Sequence, residues 1–452
     1  MSKKFILIDR QTAFSLPPDL EGWLPANSLA RFIVEVVEQL NTTMIEGAYR
    51  GGGSAPYPPK MMLSLLFYCY ANGIFSSRQI ERASYELIPV IYITGNTHPD
   101  HNSINSFRQR FLTELKEVFV QILFVAHELG VFKLGEISLD GSKFKANASQ
   151  HKAMSWGYAN KLEAQLQEEV ERLMKEAQEG AESRPSTIDL ASELSRREAR
   201  LAQIAAVKAE LEARAQVRYE QEWSAYEAKL AERKAKEEAR GRKLGGKQPK
   251  APEPGPKEKD QLNFTDPESR IMPSSGPAFV QAYNAQACVD MQNLFIVGHF
   301  ISQNPNDKQE VSPALDALNL LPDSLGEIDK AAADTGYFSE DNVKQFEAHG
   351  ITPYIANGRQ PHYPPLEERL RPPPSVPPSS PDPVSKLRSR MQTAEGKAFY
   401  ARRKSTVEPV FGIIKHVMKF RQFMLRGLEK VNGEWSLVCI AFNLKRIHTL
   451  IA

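Results

Sequence analysis

"GEISLDGSKFKANAS", Gly135 to Ser149, is the stretch on which the fold turns. Apolar and polar residues alternate in it and turn formers follow closely, which is the pattern of a strand and its hairpin and not of a helix. The segments before it are helical. Those after it alternate between strand and helix once a long polar helical stretch has been passed. The residue at the centre of the change is an acid, Asp140, set directly before a glycine, Gly141.

Upstream, "NSLARFIVEVVEQL" carries an apolar stripe through Leu29, Phe32, Ile33, Val36, Val37 and Leu40. "PPKMMLSLLFYCYANGIF" continues the helical pattern, and Gly73 marks its stop. Ser76 or Ser77 can cap a next helix that carries Arg78 and Arg82. "PDHNSINSFRQRFLTELKEVFVQILFVAHEL" then reads as one longer helix, capped by Asn102 or Ser103, with Phe107, Phe111, Leu115 and Val118 inward and Arg108 and Arg110 outward. A short helix, a turn and a polar-fronted second helix suit a helix-turn-helix reader of DNA, although most such pairs are packing units. This defines a helical N-terminal domain over residues 1–133.

Downstream, residues 152–263 are strongly helix-forming. Leu194, Leu201, Ile204 and Leu211 approximate a heptad seam, with Arg197 and Lys208 at other seam positions. The spacing predicts a coiled-coil-like helical hairpin ended by the flexible Pro/Gly/Lys linker "GRKLGGKQPKAPEPGPKEKDQ". "FVQAYNAQACVD" and "LFIVGHFISQ" read as paired strands. "DKQEVSPALDALNLL" reads as a helix, "GEIDKAAADTGYFS" as a buried strand and turn, "EDNVKQFEAHG" as a helix and "ITPYIAN" as another strand. A Pro-rich loop over 372–385 precedes a final helical part. The order fits an α/β domain with a mixed sheet, made of residues 134–151 and 264–452, into which 152–263 is inserted.

At 452 residues, 41% apolar and 25% charged, the chain has the size and composition of a soluble protein of two or three domains. Its net charge of +2 hides an asymmetry: residues 383–452 hold fourteen Lys and Arg against four Asp and Glu, a local +10. Such a basic segment is either a solvated face or a surface for a polyanion. The three cysteines, Cys69, Cys288 and Cys439, are far apart with no zinc spacing, so buried free thiols in a reducing compartment are expected. No stretch reaches a membrane span, and the apolar run in "MSKKFILIDR" is too short for a signal peptide, so the reading is cytosolic.

Asp140 and Asp334 both follow short apolar or small-residue runs, at what reads as strand ends. A carboxylate at the carboxyl end of a sheet strand points into the crevice where α/β proteins place ligands. Two acids on adjacent strands repel unless a cation sits between them. Mg²⁺ takes hard oxygen ligands, and three carboxylates can hold two such ions about 3.5 to 4 Å apart. Asp before Gly is also an ordinary turn former. The basic segment "YARRKSTVEPVFGIIKHVMKF", Tyr400 to Phe420, supplies a third acid, Glu408. "STVE" matches a capping box, so Glu408 is either a helix cap or a ligand. Lys143 and Lys145 beside Asp140 are phosphate contacts or solvated lysines. Trp435 is a stacking platform for a base or a core residue.

Four segments, taken in order, resemble a bacterial insertion-sequence transposase of the DDE type, closest to the branch numbered eleven eighty-two, near the four and five groups. They are "YPPKMMLSLLFYCYANGIFSSRQIERASYELIPVIYITGNTHPDHNSINSFRQRF", "ISLDGSKFKANAS", "ADTGYFSEDN" and "YARRKSTVEPVFGIIK". The resemblance implies an RNase H-like catalytic core, with Asp140, Asp334 and Glu408 as catalytic and metal-binding residues for two Mg²⁺ or Mn²⁺ ions. It implies double-stranded DNA as partner, at transposon ends and target, and a dimer or higher oligomer acting on it in the nucleoid. Hydrolysis at the element's terminal inverted repeats frees a 3′-hydroxyl, which then attacks target DNA. The expected DNA contacts are Arg78, Arg82, Arg108, Arg110, Lys143, Lys145, Tyr400, Arg403, Lys404 and Lys415. The third motif's usual form has three residues between its Arg and the Glu. Here four residues separate Arg403 from Glu408 and three separate Lys404, so either base can fill that place. A non-transposing nuclease of the same fold and a catalytically inactive DNA-binding protein are the alternatives.

Overall fold

The computed structural model of the chain describes residues 19–49, 55–179, 189–243, 245–274, 278–358, 366 and 382–452. Two compact units are present, one made of Met1–Asn147 with Ala282–Ala452, the other of Ala148–Gln281.

The first unit begins with helices. α1 (Leu29–Gln39) buries Ala30, Ile33, Val36 and Val37, and the Ser28 hydroxyl caps it by accepting from Ala30 N–H. α2 (Thr43–Gly47), α3 (Pro59–Ala71), α4 (Ser77–Glu86) and α5 (Ile88–Thr94) follow. The long helix expected next is two: α6 (His101–Arg110) and α7 (Leu115–Glu128). Its cap is Asp100, whose carboxylate accepts from Asn102 N–H and Ser103 N–H, rather than Asn102 or Ser103. An ionised acid two residues before Asn102 is the better acceptor for the positive end of the helix.

β1 (Glu136–Lys145) is the central strand of the sheet. On one side it pairs antiparallel with β5 (Phe279–Asp290), from Ile137 opposite Asp290 to Lys145 opposite Ala282, and β5 pairs antiparallel with β6 (Ile296–Ser302). On its other side β1 pairs parallel with β7 (Lys330–Ala333), which pairs parallel with β8 (Thr352–Ile355). The sheet is six-stranded and mixed, as expected: β6-β5-β1-β7-β8 run across it, and a further short strand, β4 (Arg270–Pro273), also pairs with β5. The parallel strands are joined by helices, α10 (Val311–Leu318) preceding β7 and α11 (Glu340–Ala348) lying between β7 and β8. Residues 372–381 of the expected Pro-rich loop lie outside the described residues. Pro383–Ser385 are not loop but the first turn of α12 (Pro383–Gln392), capped by Asp382.

α13 (Ala394–Ala401), α14 (Val407–Gly412) and α15 (Leu428–Ile451) complete the unit. α15 is buried almost all round, from Val431 through Ile447, because it packs on α3, α7 and β6 at once. Trp435 on it is fully buried. Its ring stacks on Phe411 at 6.2 Å and its Nε1–H donates to Gln286 O at 3.0 Å, so of the two expected roles it takes that of a core residue. Cys69, Cys288 and Cys439 are free and buried.

The second unit holds a helical hairpin, α8 (Trp156–Glu179) and α9 (Leu190–Arg240), and the short strands β2 (Ala153–Ser155), β3 (Gln261–Asn263) and β4 (Arg270–Pro273). Met154, Ala159, Leu166, Ile204, Val207, Leu211 and Leu262 form its core. The basic seam residues are matched by acids of α8: Arg197 pairs with Glu169 at 2.8 Å and Lys208 with Glu163 at 2.6 Å. The unit extends beyond the stretch 152–263 at both ends, and that stretch is not helical throughout, since β2 and β3 pair antiparallel within it. Among the described residues no helix is long and apolar enough to cross a membrane.

Candidate active site

Asp140 was expected at a strand end, yet β1 continues to Lys145, with Asp140 opposite Ala287 of β5. On the β7 side, however, the ladder does stop there. Its last parallel pair is Leu139 with Ala333, so the next residues, Asp140 and Asp334, leave adjacent strands side by side. Asp140 Oδ1 accepts from Gly141 N–H at 2.8 Å. Asp334 begins a 3₁₀ turn, Thr335–Tyr337, and its Oδ1 accepts from Gly336 N–H at 2.8 Å.

The third acid arrives on the segment after α13. A 3₁₀ turn, Arg402–Ser405, leads into α14, and a π turn, Ile413–Val417, follows it. Arg403 reaches both other elements: its Nη1–H donates to Asp140 Oδ2 at 2.9 Å and its Nη2–H to Glu408 Oε1 at 3.2 Å. Lys404 is exposed. Of the two bases, Arg403 is thus the one bonded to the acids, from a 3₁₀ turn that lies between α13 and Glu408. No capping box forms. Thr406 is the cap residue and makes no side-chain cap bond, while the Ser405 hydroxyl donates to Arg402 O. Glu408 is bonded to the Arg403 guanidinium instead, with its side chain 49% exposed.

Lys415, in the π turn, donates to Ser142 Oγ at 2.5 Å and Lys143 O at 3.1 Å and stands 4.6 Å over the Phe144 ring. Lys143 Nζ lies 3.8 Å from Asp307 Oδ2, and Lys145 is exposed. Tyr400 is half-buried beside Arg403, which opposes the upward push of burial on its hydroxyl pKa.

Charge at this place is finely set. Burial is the largest influence on Asp140 and pushes its carboxyl up to about 6; Arg403 opposes it and the Asp334 charge adds to it. Arg403 is held above the ordinary arginine value: burial works against its charge, and Asp140, Tyr400, Asp334 and Glu408 together outweigh that. Burial, then the Lys143 charge, lowers Lys415. Among the described residues no three His, Cys, Asp or Glu side chains are grouped closely enough to hold a metal ion. Asp140 and Glu408 share the Arg403 guanidinium as their cation. The three acids offer only carboxylate oxygen, the donor chemistry that a hard divalent ion takes, and burial is the main reason that Asp140 is raised.

The basic residues of the N-terminal helices separate into two kinds. Arg78 is exposed, and Arg82 is exposed and paired with Glu86 at 2.7 Å. Arg110 donates to Ala48 O and lies over the Tyr49 ring at 5.1 Å. Arg108, expected outward, is inward and 5% exposed. It donates to Tyr70 Oη at 2.8 Å and Phe75 O at 2.9 Å, and the Tyr70 hydroxyl in turn donates to Glu434 Oε1 at 2.9 Å. The reason is legible in the spacing: Ile104, Phe107, Arg108 and Phe111 share one helix face, and the buried Glu434 charge requires a cation.

One acid near the site was not expected. Asp307, in the loop between β6 and α10, accepts at Oδ1 from Asn284 Nδ2–H and Gln286 Nε2–H, both at 2.7 Å. "DKQEVSPALDALNLL" reads as a helix that Asp307 opens, but α10 begins only at Val311 and leaves Asp307 in the loop before it.

Residues 377–448 match the model of a transposase DDE domain, and residues 18–110 match that of a transposase domain (DUF772). No curated protein and no solved structure matches the chain. Two transposase models met in order along one chain support a transposase. The DDE-domain match, which contains Arg403 and Glu408, narrows this to the insertion-sequence type of DDE transposase.

Proposed function

We propose that the chain is a DNA transposase of the eleven-eighty-two branch with an RNase H-like catalytic core. In this reading it binds the terminal inverted repeats of its element, cleaves there by phosphodiester hydrolysis and joins the freed 3′-hydroxyl to target DNA. The strand order supports the fold reading, since three antiparallel strands are followed by two parallel ones and the first acid stands on the first strand. The observation that carries the site is the placement of three remote acids: Asp140 and Asp334 leave neighbouring strands together, and Arg403 joins Asp140 to Glu408.

Asp140, Asp334 and Glu408 would hold two Mg²⁺ or Mn²⁺ ions, whose chemistry is to activate the attacking oxygen and stabilise the leaving one. Arg403 screens the carboxylates from one another until DNA arrives and then turns a donor face to a phosphate. Tyr400 packs beside Arg403 and orients it. Lys404, Lys143 and Lys145 contact the DNA backbone, with Lys415 behind them fixing the strand that carries Asp140. Arg78, Arg82 and Arg110 contact the transposon end. Two ends must be handled together, so the working form is a dimer or higher oligomer on DNA in the bacterial nucleoid.

Asp140→Ala, Asp334→Ala and Glu408→Ala are each expected to abolish Mg²⁺-dependent cleavage of a duplex carrying the element's end, with DNA affinity retained. Full cleavage by any one of them refutes the site. Cleavage without strand transfer by the unaltered chain favours a nuclease, and neither activity favours an inactive binding protein.

A further inference from the structure

Asp307 belongs to none of the motifs above, yet its carboxylate lies beside glycines that follow the paired acids, Gly141 directly after Asp140 and Gly336 two residues after Asp334. Its carboxylate plane is fixed by the amides of Asn284 and Gln286, side chains of β5 that both donate to Oδ1 at 2.7 Å. Gly141, directly after Asp140, leaves the space for this. A Cβ there would lie 2.1 Å from Gln286 Nε2 and 2.7 Å from Asp307 Oδ1. Gly336 does the same beside Asp334, where a Cβ would meet Asp334 Oδ1 at 2.9 Å and Asp307 Oδ2 at 3.6 Å.

Three further bonds tie the Asp334 turn to the Asp307 loop and to Gln286, which holds Asp307. Gln286 Oε1 accepts from the buried Tyr337 hydroxyl at 2.5 Å, at the end of that turn. Asn342 Nδ2 donates both to Lys308 O at 2.8 Å and to Tyr337 O at 2.6 Å, stapling the two loops together. The ion pair of Asp307 with Lys143, at 3.8 Å and with the acid's side chain 16% exposed, is a long one for so enclosed a charge.

We infer that Asp307 is a positioning residue of the candidate active site: it seats the Asp334 turn against β1, facing Asp140, and places a further negative charge beside Asp334 that tightens cation binding. The inference rests on the transposase reading of Asp140, Asp334 and Glu408. Asp307 acts through Asp334 and is assigned no contact with DNA.

The test is Mn²⁺ binding by the full chain, followed calorimetrically, for the unaltered protein, Asp307→Asn, Asn284→Ala and Asp140→Ala. Asp307→Asn keeps the shape and removes the charge, and is expected to weaken Mn²⁺ binding by about tenfold or more, the range for groups that orient metal ligands. Asn284→Ala keeps the charge but frees the carboxylate on one side, and is expected to weaken binding in the same direction by a smaller factor. If both variants bind Mn²⁺ as the unaltered chain does, and differ only in melting temperature, Asp307 is a structural residue and the inference is overturned. Asp140→Ala separates that failure from a deeper one. Loss of Mn²⁺ with Asp140→Ala alone leaves the active-site reading standing, whereas an unaltered chain that binds no Mn²⁺ overturns both.

Discussion

Asp140→Asn should make the metal-free protein more stable while removing its proposed activity. The carboxyl of Asp140 is raised from 3.8 to about 6, by burial first and by Asp334 besides, against the opposing pull of Arg403. Below pH 3.8 the group is protonated in the folded and the unfolded chain alike. Between 3.8 and about 6 the folded chain keeps a proton that the unfolded chain has released, so stability falls as pH rises through this window. Above it the whole cost of holding the charge persists. At about 1.36 kcal/mol per pH unit the cost is roughly 3 kcal/mol, and the side chain is enclosed enough, 18% exposed, for most of that to survive solvent screening. Asparagine keeps the shape and carries no charge, and its one carbonyl oxygen can accept from either Gly141 or Arg403 in place of the two carboxylate oxygens. The measurement is urea unfolding of both proteins in chelator across pH 3.5 to 7.5. The stability difference should be near zero at the acid end and reach roughly 2–3 kcal/mol in favour of Asp140→Asn at the other. A variant less stable than the parent at pH 7.5, or a difference that does not change with pH, would refute the reasoning. Active sites commonly carry strain of this kind, held for function at a cost to the fold.

Trp435→Ala should lower stability by about 3–5 kcal/mol, since a fully buried ring and its bond to Gln286 O are lost, yet leave the salt dependence of DNA binding unchanged in the folded protein; an altered salt slope would assign the ring to DNA after all. Arg108→Met should cost about 3–5 kcal/mol by leaving Glu434 buried without its cation, and Arg108→Met with Glu434→Gln should recover part of it; a neutral single substitution contradicts the buried network. By contrast Arg78→Ala should leave the melting temperature alone and reduce the salt slope of DNA affinity by about 1. Gly141→Ala forces a methyl against Gln286 Nε2 and should lower the melting temperature and abolish cleavage together, and full activity would show that β1 and β5 yield more easily than their spacing implies.

The two periodicities carried most of what could be read without a structure. The stripe of α1, the alternation around Ile137 and Leu139 and the small-residue run before Asp334 each report a local backbone preference, and local preferences survive in the fold. Arg108 shows where such reading fails through inattention rather than in principle. It sits in phase with Ile104, Phe107 and Phe111, and only the habit of placing arginine in water argued otherwise. The capping box shows a different failure. "STVE" has the right residues, but Ser405 ends a 3₁₀ turn and Glu408 is bonded to Arg403, whose guanidinium is itself held by Asp140 from far away in the chain. The tie from Arg403 to Asp140 spans 263 residues, and Asp307 meets Asn284 and Gln286 through a sheet register that no local pattern encodes.

The register between β1 and β5 has one more implication. Lys145 and Ala282 face each other across the ladder, so everything in the chain between them is, topologically, the tip of a β-hairpin. A tip can lengthen, shrink or be exchanged without reordering any strand that bears an acid.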